Sequence, residues 1–496
     1  MEEREYDTRQ DGPYRRVNPR AATTGGEAAQ GVRGQGGQGS DAARGSARNT
    51  VSQPLEDADI REVIRGKTGL AHKAANDYTT KHFGEAYAPV GNTESSLQKQ
   101  APIGRAFMLA ASGHPEYKKA VFDAYRKQMP EAAYANDYDD LLKMAYQQLA
   151  HETKKQFHSL PVDMSYHRNG EGNYKSSKEM LKDIYNNKHM AVYQGGDPHE
   201  FLHEVDPKTG LSTNDMFRAV HDFYGHAVHG NEFGPQGEEK AWAAHSSMFT
   251  PLAQAALTAE TRGQNSVVNY TPLNAELKGE MRKLEEAAYH AKREGHHEQA
   301  QEFNDMKQEL MGHFQFAPQK SVLLPPEMNK GDYAGGMPQY LRPLVKPQHG
   351  TSAELTHFSN NPNLTATDPK RYGTGITGSE ADRLTYPNAE RDRTYFYAGD
   401  PEKGEHGLGR HKYTAHSPDL YDMAADPEHL AALAKHYNTT PYTAKYSQGR
   451  FDPASAANDA ERLAKEYGYS GVLNKTSGMP MAAVFSPLPV AKVSND

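Results

Sequence analysis

The sequence predicts a multidomain protein, mainly α in its N-terminal and central region, with an α+β domain at its C-terminus. Three observations lead there. Apolar residues recur at helical spacing from about residue 57 to 314, a Pro/Gly-rich stretch follows, and short apolar runs broken by Gly, Pro and Asn fill the rest. At 496 residues the chain has room for two or three domains.

Residues 1–55 are rich in Gly, Ala, Gln, Arg and Ser and carry almost no large apolar side chains. Such a segment buries too little surface to offset its ordering entropy and reads as a disordered tail. It has no apolar stretch behind its charges, so it does not read as a secretory signal. Residues 56–316 form the mainly helical domain. Tyr117, Val121, Tyr125 and Met129 recur every fourth residue, and Leu141, Leu142, Ala145, Leu149 and Phe157 mark a second amphipathic stripe. Two short strands are expected at 162–167 and 190–194, and Ser176-Ser177-Lys178-Glu179 between them has the form of a capping box. Residues 317–350, with Leu324-Pro325-Pro326 and Gly335-Gly336, read as a linker, and 351–496 as the α+β domain.

Composition excludes some chemistry. With no cysteine there are no disulfides, thiolate nucleophiles or Cys-ligated metals, so a transition-metal site must use His, Asp and Glu, and there are 24 histidines. A net charge of -8 argues against nucleic acid as the main partner. No apolar run is long enough to span a membrane, so a soluble protein is expected.

The densest chemistry lies in Phe217-Arg218-Ala219-Val220-His221-Asp222-Phe223-Tyr224-Gly225-His226, with Glu238, Trp242 and His245 on one helical face further on, and Glu260 and Gln264 one turn apart. On an ideal α-helix, positions five apart are separated by about 140°. His221 and His226 therefore converge only if the turn relaxes, for which Gly225 is placed. Two neutral imidazoles and a carboxylate from a neighbouring helix would make a facial triad with open positions, suited to iron(II) or zinc. The alternative is a buried hydrogen-bonded network without metal. His114, His151, His290, His296 and His297 read as solvated helix residues.

His221-Asp222-x-x-Gly225-His226 resembles the iron-binding His-Glu-x-x-Gly-His of the aromatic amino acid hydroxylases. That resemblance implies Glu260 as the third ligand. The segment is also similar to the HD phosphohydrolases, in which adjacent His and Asp bind metal. His221-Asp222, Gly225-His226 and Gly237-Glu238 look like parts of the deoxynucleotide triphosphohydrolases, with His199 or His203 as the upstream histidine. The candidate ligands are thus His221, His226, Glu260, Asp222, His245 and Glu238, for iron, zinc or manganese.

In the C-terminal region, Leu355-Thr356-His357-Phe358-Ser359, Gly373-Thr374-Gly375, Thr394-Tyr395-Phe396-Tyr397 and Gly471-Val472-Leu473 follow in an order that resembles the ADP-ribosyltransferase-like domains. The resemblance implies NAD as cofactor, with His357 on its ribose and Tyr397 or Tyr395 on its nicotinamide. Gly373 and Gly375 would border the phosphates. His349-Gly350-Thr351 matches the first motif as well, and Met481 stands where the family places its catalytic Glu. Tail, helical modules and effector-like domain together resemble phage polyvalent proteins. This implies a virion-associated or host-acting protein that meets host or virion proteins, in the virion or the host cytoplasm. The alternatives are a metal-dependent oxygenase or hydrolase centred on His221, His226 and Glu260, and a non-catalytic internal virion protein.

Overall fold

The structure is a computed structural model that describes residues 54–91, 96–168, 174–195, 198–345, 347, 349–371, 393–399, 401, 409–439, 453–475 and 480–493. Residues 1–53 of the expected tail, Gly373 and Gly375 lie outside these residues. The architecture is the expected one: helices through the N-terminal and central region, then an α+β domain.

The helical body opens with α1 (Asp57–Arg65), α2 (Leu70–Phe83), α3 (Leu97–Ala111), α4 (Pro115–Gln128) and α5 (Tyr138–Phe157). The predicted stripes are its core: Tyr117, Val121, Tyr125, Leu141, Ala145 and Leu149 are all fully buried. The strands β1 (Asp163–His167) and β2 (His189–Tyr193) pair in parallel around α6 (Ser177–Lys182). Ser176 caps α6 through the Glu179 amide, but Glu179 reaches back to the Lys175 amide rather than to the cap residue, so the box is open.

The rest of the helical region comprises α7 (Thr213–Val220), α8 (Pro235–Ser246), α9 (Pro251–Thr258), α10 (Gln264–Tyr270), α11 (Pro272–Arg293) and α12 (His297–Gly312), with prolines opening α8, α9 and α11. Two joints carry π-helical turns. His221–Ala227 continues α7, and Ala259–Gly263 joins α9 to α10. Of the five histidines expected to be solvated, four are exposed and His114 is half-buried.

Residues 317–350 do not behave as a linker. Val322, Leu323, Leu324, Met328 and Leu341 are buried in the same core as α4 and α5. The hydroxyls of Tyr117 and Tyr125 donate to the carbonyls of Leu323 and Leu324 at 3.0 and 2.8 Å. Prolines keep this segment extended and short of amides, so buried tyrosines satisfy its carbonyls in place of a ladder. Arg262 locks it further. Its guanidinium holds Glu239 with two bonds of 2.6 and 3.0 Å, donates to the Met328 carbonyl at 2.6 Å, and lies over the Trp242 ring.

The C-terminal domain is built on β3 (Thr351–Ser359), β4 (Ala366–Thr367), β5 (Thr394–Ala398), β6 (His411–Asp422), α13 (Leu430–Thr439), α14 (Pro453–Glu466), β7 (Gly471–Asn474), β8 (Met481–Val484), β9 (Leu488–Pro489) and β10 (Ala491–Lys492). The main sheet runs β10-β6-β3-β5-β8-β7 and closes on itself because β6 also pairs with β7. Leu355, Phe396, Ala415, Leu420, Leu473, Ala482 and Val484 fill it. Tyr421, Leu430, Leu463 and Tyr469 pack with Leu97, Ala101, Tyr270 and Ala275 of the helical body. Among the described residues, no helix is long and apolar enough to cross a membrane.

Candidate metal centre

The site is assembled by the π-helical turn after α7. Ser212 and Asp215 form a reciprocal cap at the start of α7, which fixes where the helix begins. Eight residues later the hydrogen-bond pattern widens. In a π-turn residue i+5 sits one turn above residue i, so His221 and His226, placed apart by an α-helix, come together. Their rings stand perpendicular with centroids 5.2 Å apart. Gly225 lets this turn lie against α8, since a Cβ there would meet the Ala241 carbonyl at 3.1 Å and His221 Cε1 at 3.2 Å.

The facing helix α8 supplies the carboxylate. Glu238 Oε2 lies 3.5 Å from His226 Nε2 and 3.7 Å from His221 Nε2. One ligand atom from each of His221, His226 and Glu238 lies within 4.8 Å of the others, so this group can hold a metal ion. His226 is buried, with 2% of its side chain exposed, whereas Glu238 keeps 23%. His221, at 12%, lies between the two. Burial pushes the Glu238 carboxyl up, but His226 and His221, when protonated, outweigh it and hold it down at about 2.

Around this group the contacts are ordered. His226 Nδ1 lies 3.2 Å from the Asn231 carbonyl, and Asn231 Nδ2 donates to the Gly225 carbonyl at 2.8 Å. His221 Nδ1 lies 3.3 Å from His245 Nδ1, and His245 Nε2 lies 2.8 Å from Gln156 Oε1. Burial first, then the neighbouring His221 and His226, push the His245 imidazole well below its ordinary range. Phe217 stacks on His221, Phe233 meets His226 edge-on and Phe249 meets His245, so aromatic rings wall the centre.

Of the sequence candidates, His221, His226 and Glu238 converge, and His245 stands behind His221. Asp222 is not in the converging group. Glu260, expected as the third ligand, is held elsewhere. It accepts from Tyr146 Oη at 2.5 Å, His199 Nε2 at 3.1 Å and Gln264 Nε2 at 2.8 Å. The reason is the second π-turn, Ala259–Gly263, which carries Glu260 into the α5 side of the core. His199 is thereby committed to Glu260, and His203 donates Nδ1–H to the carbonyls of His199 and Glu200, so neither serves as the upstream ligand of an HD site. Sequence reasoning missed Gln156 and Asn231. Asn231 carried no signal beyond lying in a loop, and Gln156 sits in a helix whose periodicity marks only a core face.

In the C-terminal domain the register separates the proposed NAD residues. Thr356 pairs with Tyr397 across β3 and β5, so Tyr397 shares a face with Thr356 and its ring meets Phe358. His357 lies on the opposite face with Phe396, its ring centroid 5.3 Å away and its Nδ1 3.3 Å from the Tyr395 carbonyl. His357 and Tyr397 therefore do not frame one cofactor, and Tyr395 shares the Tyr397 side. Met481 opens β8, as the sequence places it. His349 is exposed.

The chain matches no protein-family model, and no curated protein and no solved structure proves similar to it.

Proposed function

We propose that the helical domain is a metal-dependent enzyme that holds one divalent transition-metal ion on His221 Nε2, His226 Nε2 and the Glu238 carboxylate. The observation that carries this reading is the kind of atom that faces Glu238. A main-chain carbonyl only accepts, so His226 Nδ1 must carry the proton it gives to Asn231. A neutral His226 then turns an unprotonated Nε2 toward a carboxylate oxygen 3.5 Å away. Two lone-pair atoms face each other at that range only with a cation between them, either a proton on the ring or a metal ion.

Glu260 makes the contrast. Tyr146 Oη and Gln264 Nε2 donate to it, and His199 also donates, because its Nδ1 already accepts from the amides of Phe201 and Leu202. That network closes without a cation; the one at Glu238 does not.

Two imidazole nitrogens and one carboxylate leave coordination positions for water and substrate. The set suits iron(II), zinc or manganese. Zinc or manganese would activate a bound water for hydrolysis, and iron would serve oxidation. Elemental analysis of purified protein tests this. Near-stoichiometric metal is expected in the wild type, lost in His221→Ala/His226→Ala and in Glu238→Gln, and kept in Glu260→Gln. Metal-free wild type after reconstitution with each of the three ions, or equal loss in Glu260→Gln, would overturn it.

A further inference from the structure

We propose that Gln156 and His245 are positioning residues that fix the tautomer of His221 through a one-way hydrogen-bond chain ending on a main-chain carbonyl. The inference rests on the metal reading above and extends it to two residues that touch no metal.

The chain is read from its far end. Gln156 Nε2 donates to the Met248 carbonyl at 3.0 Å, which settles the amide orientation and leaves Oε1 as the acceptor. Oε1 lies 2.8 Å from His245 Nε2, so that nitrogen carries the proton. His245 and Gln156 are both fully buried. A neutral imidazole that donates from Nε2 accepts at Nδ1. The 3.3 Å contact between the two Nδ1 atoms therefore has one polarity: His221 Nδ1–H donates to His245 Nδ1. His221 Nε2 is left with its lone pair on the side of Glu238.

His226 reaches the same state by a shorter route, directly from a main-chain carbonyl. The outer nitrogen of His221 meets a side chain instead, so an added pair of side chains is needed to reach a carbonyl. Outer-sphere partners of this kind set ring orientation and ligand basicity, and losing one costs about 10- to 100-fold in metal affinity. The Phe217 ring stacked on both His221 and His245 keeps the two imidazoles in register.

The test uses the full chain labelled with 15N-histidine, stripped of metal, and then titrated with cobalt(II). In the metal-free wild type, nitrogen shifts are expected to report His221 protonated on Nδ1 and His245 on Nε2. His245→Phe keeps an aromatic ring but removes the acceptor. It should mix the His221 tautomers, weaken cobalt binding about 10- to 100-fold and alter the visible spectrum of the bound ion. Gln156→Leu should do the same more weakly, and gives a second route if His245→Phe does not fold. His245→Gln, which restores an acceptor oxygen, should recover part of the affinity. A His221 found protonated on Nε2 in the metal-free protein overturns the chain whatever the metal result. Unchanged cobalt affinity and spectrum in folded His245→Phe and Gln156→Leu also overturns it. Expected tautomers with no cobalt bound by the wild type would instead sink the metal reading and leave the chain standing as a tautomer lock.

Discussion

At the scale of single residues, what separates the candidate ligand Glu238 from a structural acid is hydrogen-bond polarity. Glu238 and Glu260 are both carboxylates that face histidines. Glu260 is surrounded by donors and is complete, whereas Glu238 faces two imidazole nitrogens and needs a cation between itself and them. This gives a pH dependence with a definite sign. The Glu238 carboxyl falls from an ordinary 4.5 to about 2 in the folded metal-free protein. Its contribution to stability is thus present above 4.5 while the imidazoles stay protonated, and is lost as pH falls toward 2. Urea unfolding of metal-free wild type and Glu238→Gln should differ most in the mildly acidic range, where the imidazoles are protonated and the carboxyl is not, and converge on further acidification. A gap that widens below the ordinary carboxylate range would contradict that sign. The sequence made Glu238 a candidate through its spacing to Trp242 and His245. It could not rank it over Glu260, because polarity depends on what each oxygen meets.

At the scale of elements, the site exists because one helix changes its pitch. The His221–Ala227 turn makes five-residue spacing a shared face, and Gly225 allows the turn to press on α8. Gly225→Ala puts a methyl against the Ala241 carbonyl and His221 Cε1, both of which must give way. We expect a loss of about 1–3 kcal/mol in stability, as for other overpacked interiors. Metal affinity should fall with it, since the displaced atom belongs to a ligand ring. Denaturant unfolding and metal titration of the same variant check both; full affinity in a folded Gly225→Ala would show that the turn tolerates the methyl. The sequence pointed to Gly225 as the residue that lets the turn relax. It did not show that Glu260 lies on a second relaxed turn, which sends that carboxylate away from the first. In the C-terminal strands a similar limit applies. His357, Tyr395 and Tyr397 are where the motifs put them in the chain, but a period of two places His357 on one face and Tyr397 on the other once the register is set.

At the scale of the whole molecule, the helical body does not end where its helical periodicity ends. Leu323, Leu324 and Leu341 are fully buried among α4 and α5, and Arg262, itself fully buried, joins Glu239 of the site helix to the Met328 carbonyl. A chain ending at residue 316 should therefore fail to fold. It would leave the Tyr117 and Tyr125 hydroxyls unpaired and one side of Arg262 without its acceptors, each a buried polar group left unsatisfied. Circular dichroism and limited proteolysis of fragments ending at 316 and 345 test this. A cooperatively folded 54–316 fragment would restore the linker reading of 317–350.

By itself the sequence determined the fold class, the stripes that become the helical core, the limits on metal ligands set by the lack of cysteine, and the pair His221 and His226 with the glycine between them. Those properties follow from local period and residue chemistry, which neighbours in the chain decide together. Tertiary structure alone decided which carboxylate faces the imidazoles, which partner each ring nitrogen meets, that Val322, Leu323, Leu324, Met328 and Leu341 are interior, and that His357 and Tyr397 look in opposite directions. Each of those depends on partners far apart in the chain, such as Gln156 with His245 or Tyr125 with Leu324. Such pairings are chosen by competition for buried hydrogen-bond partners, and no local pattern records its outcome.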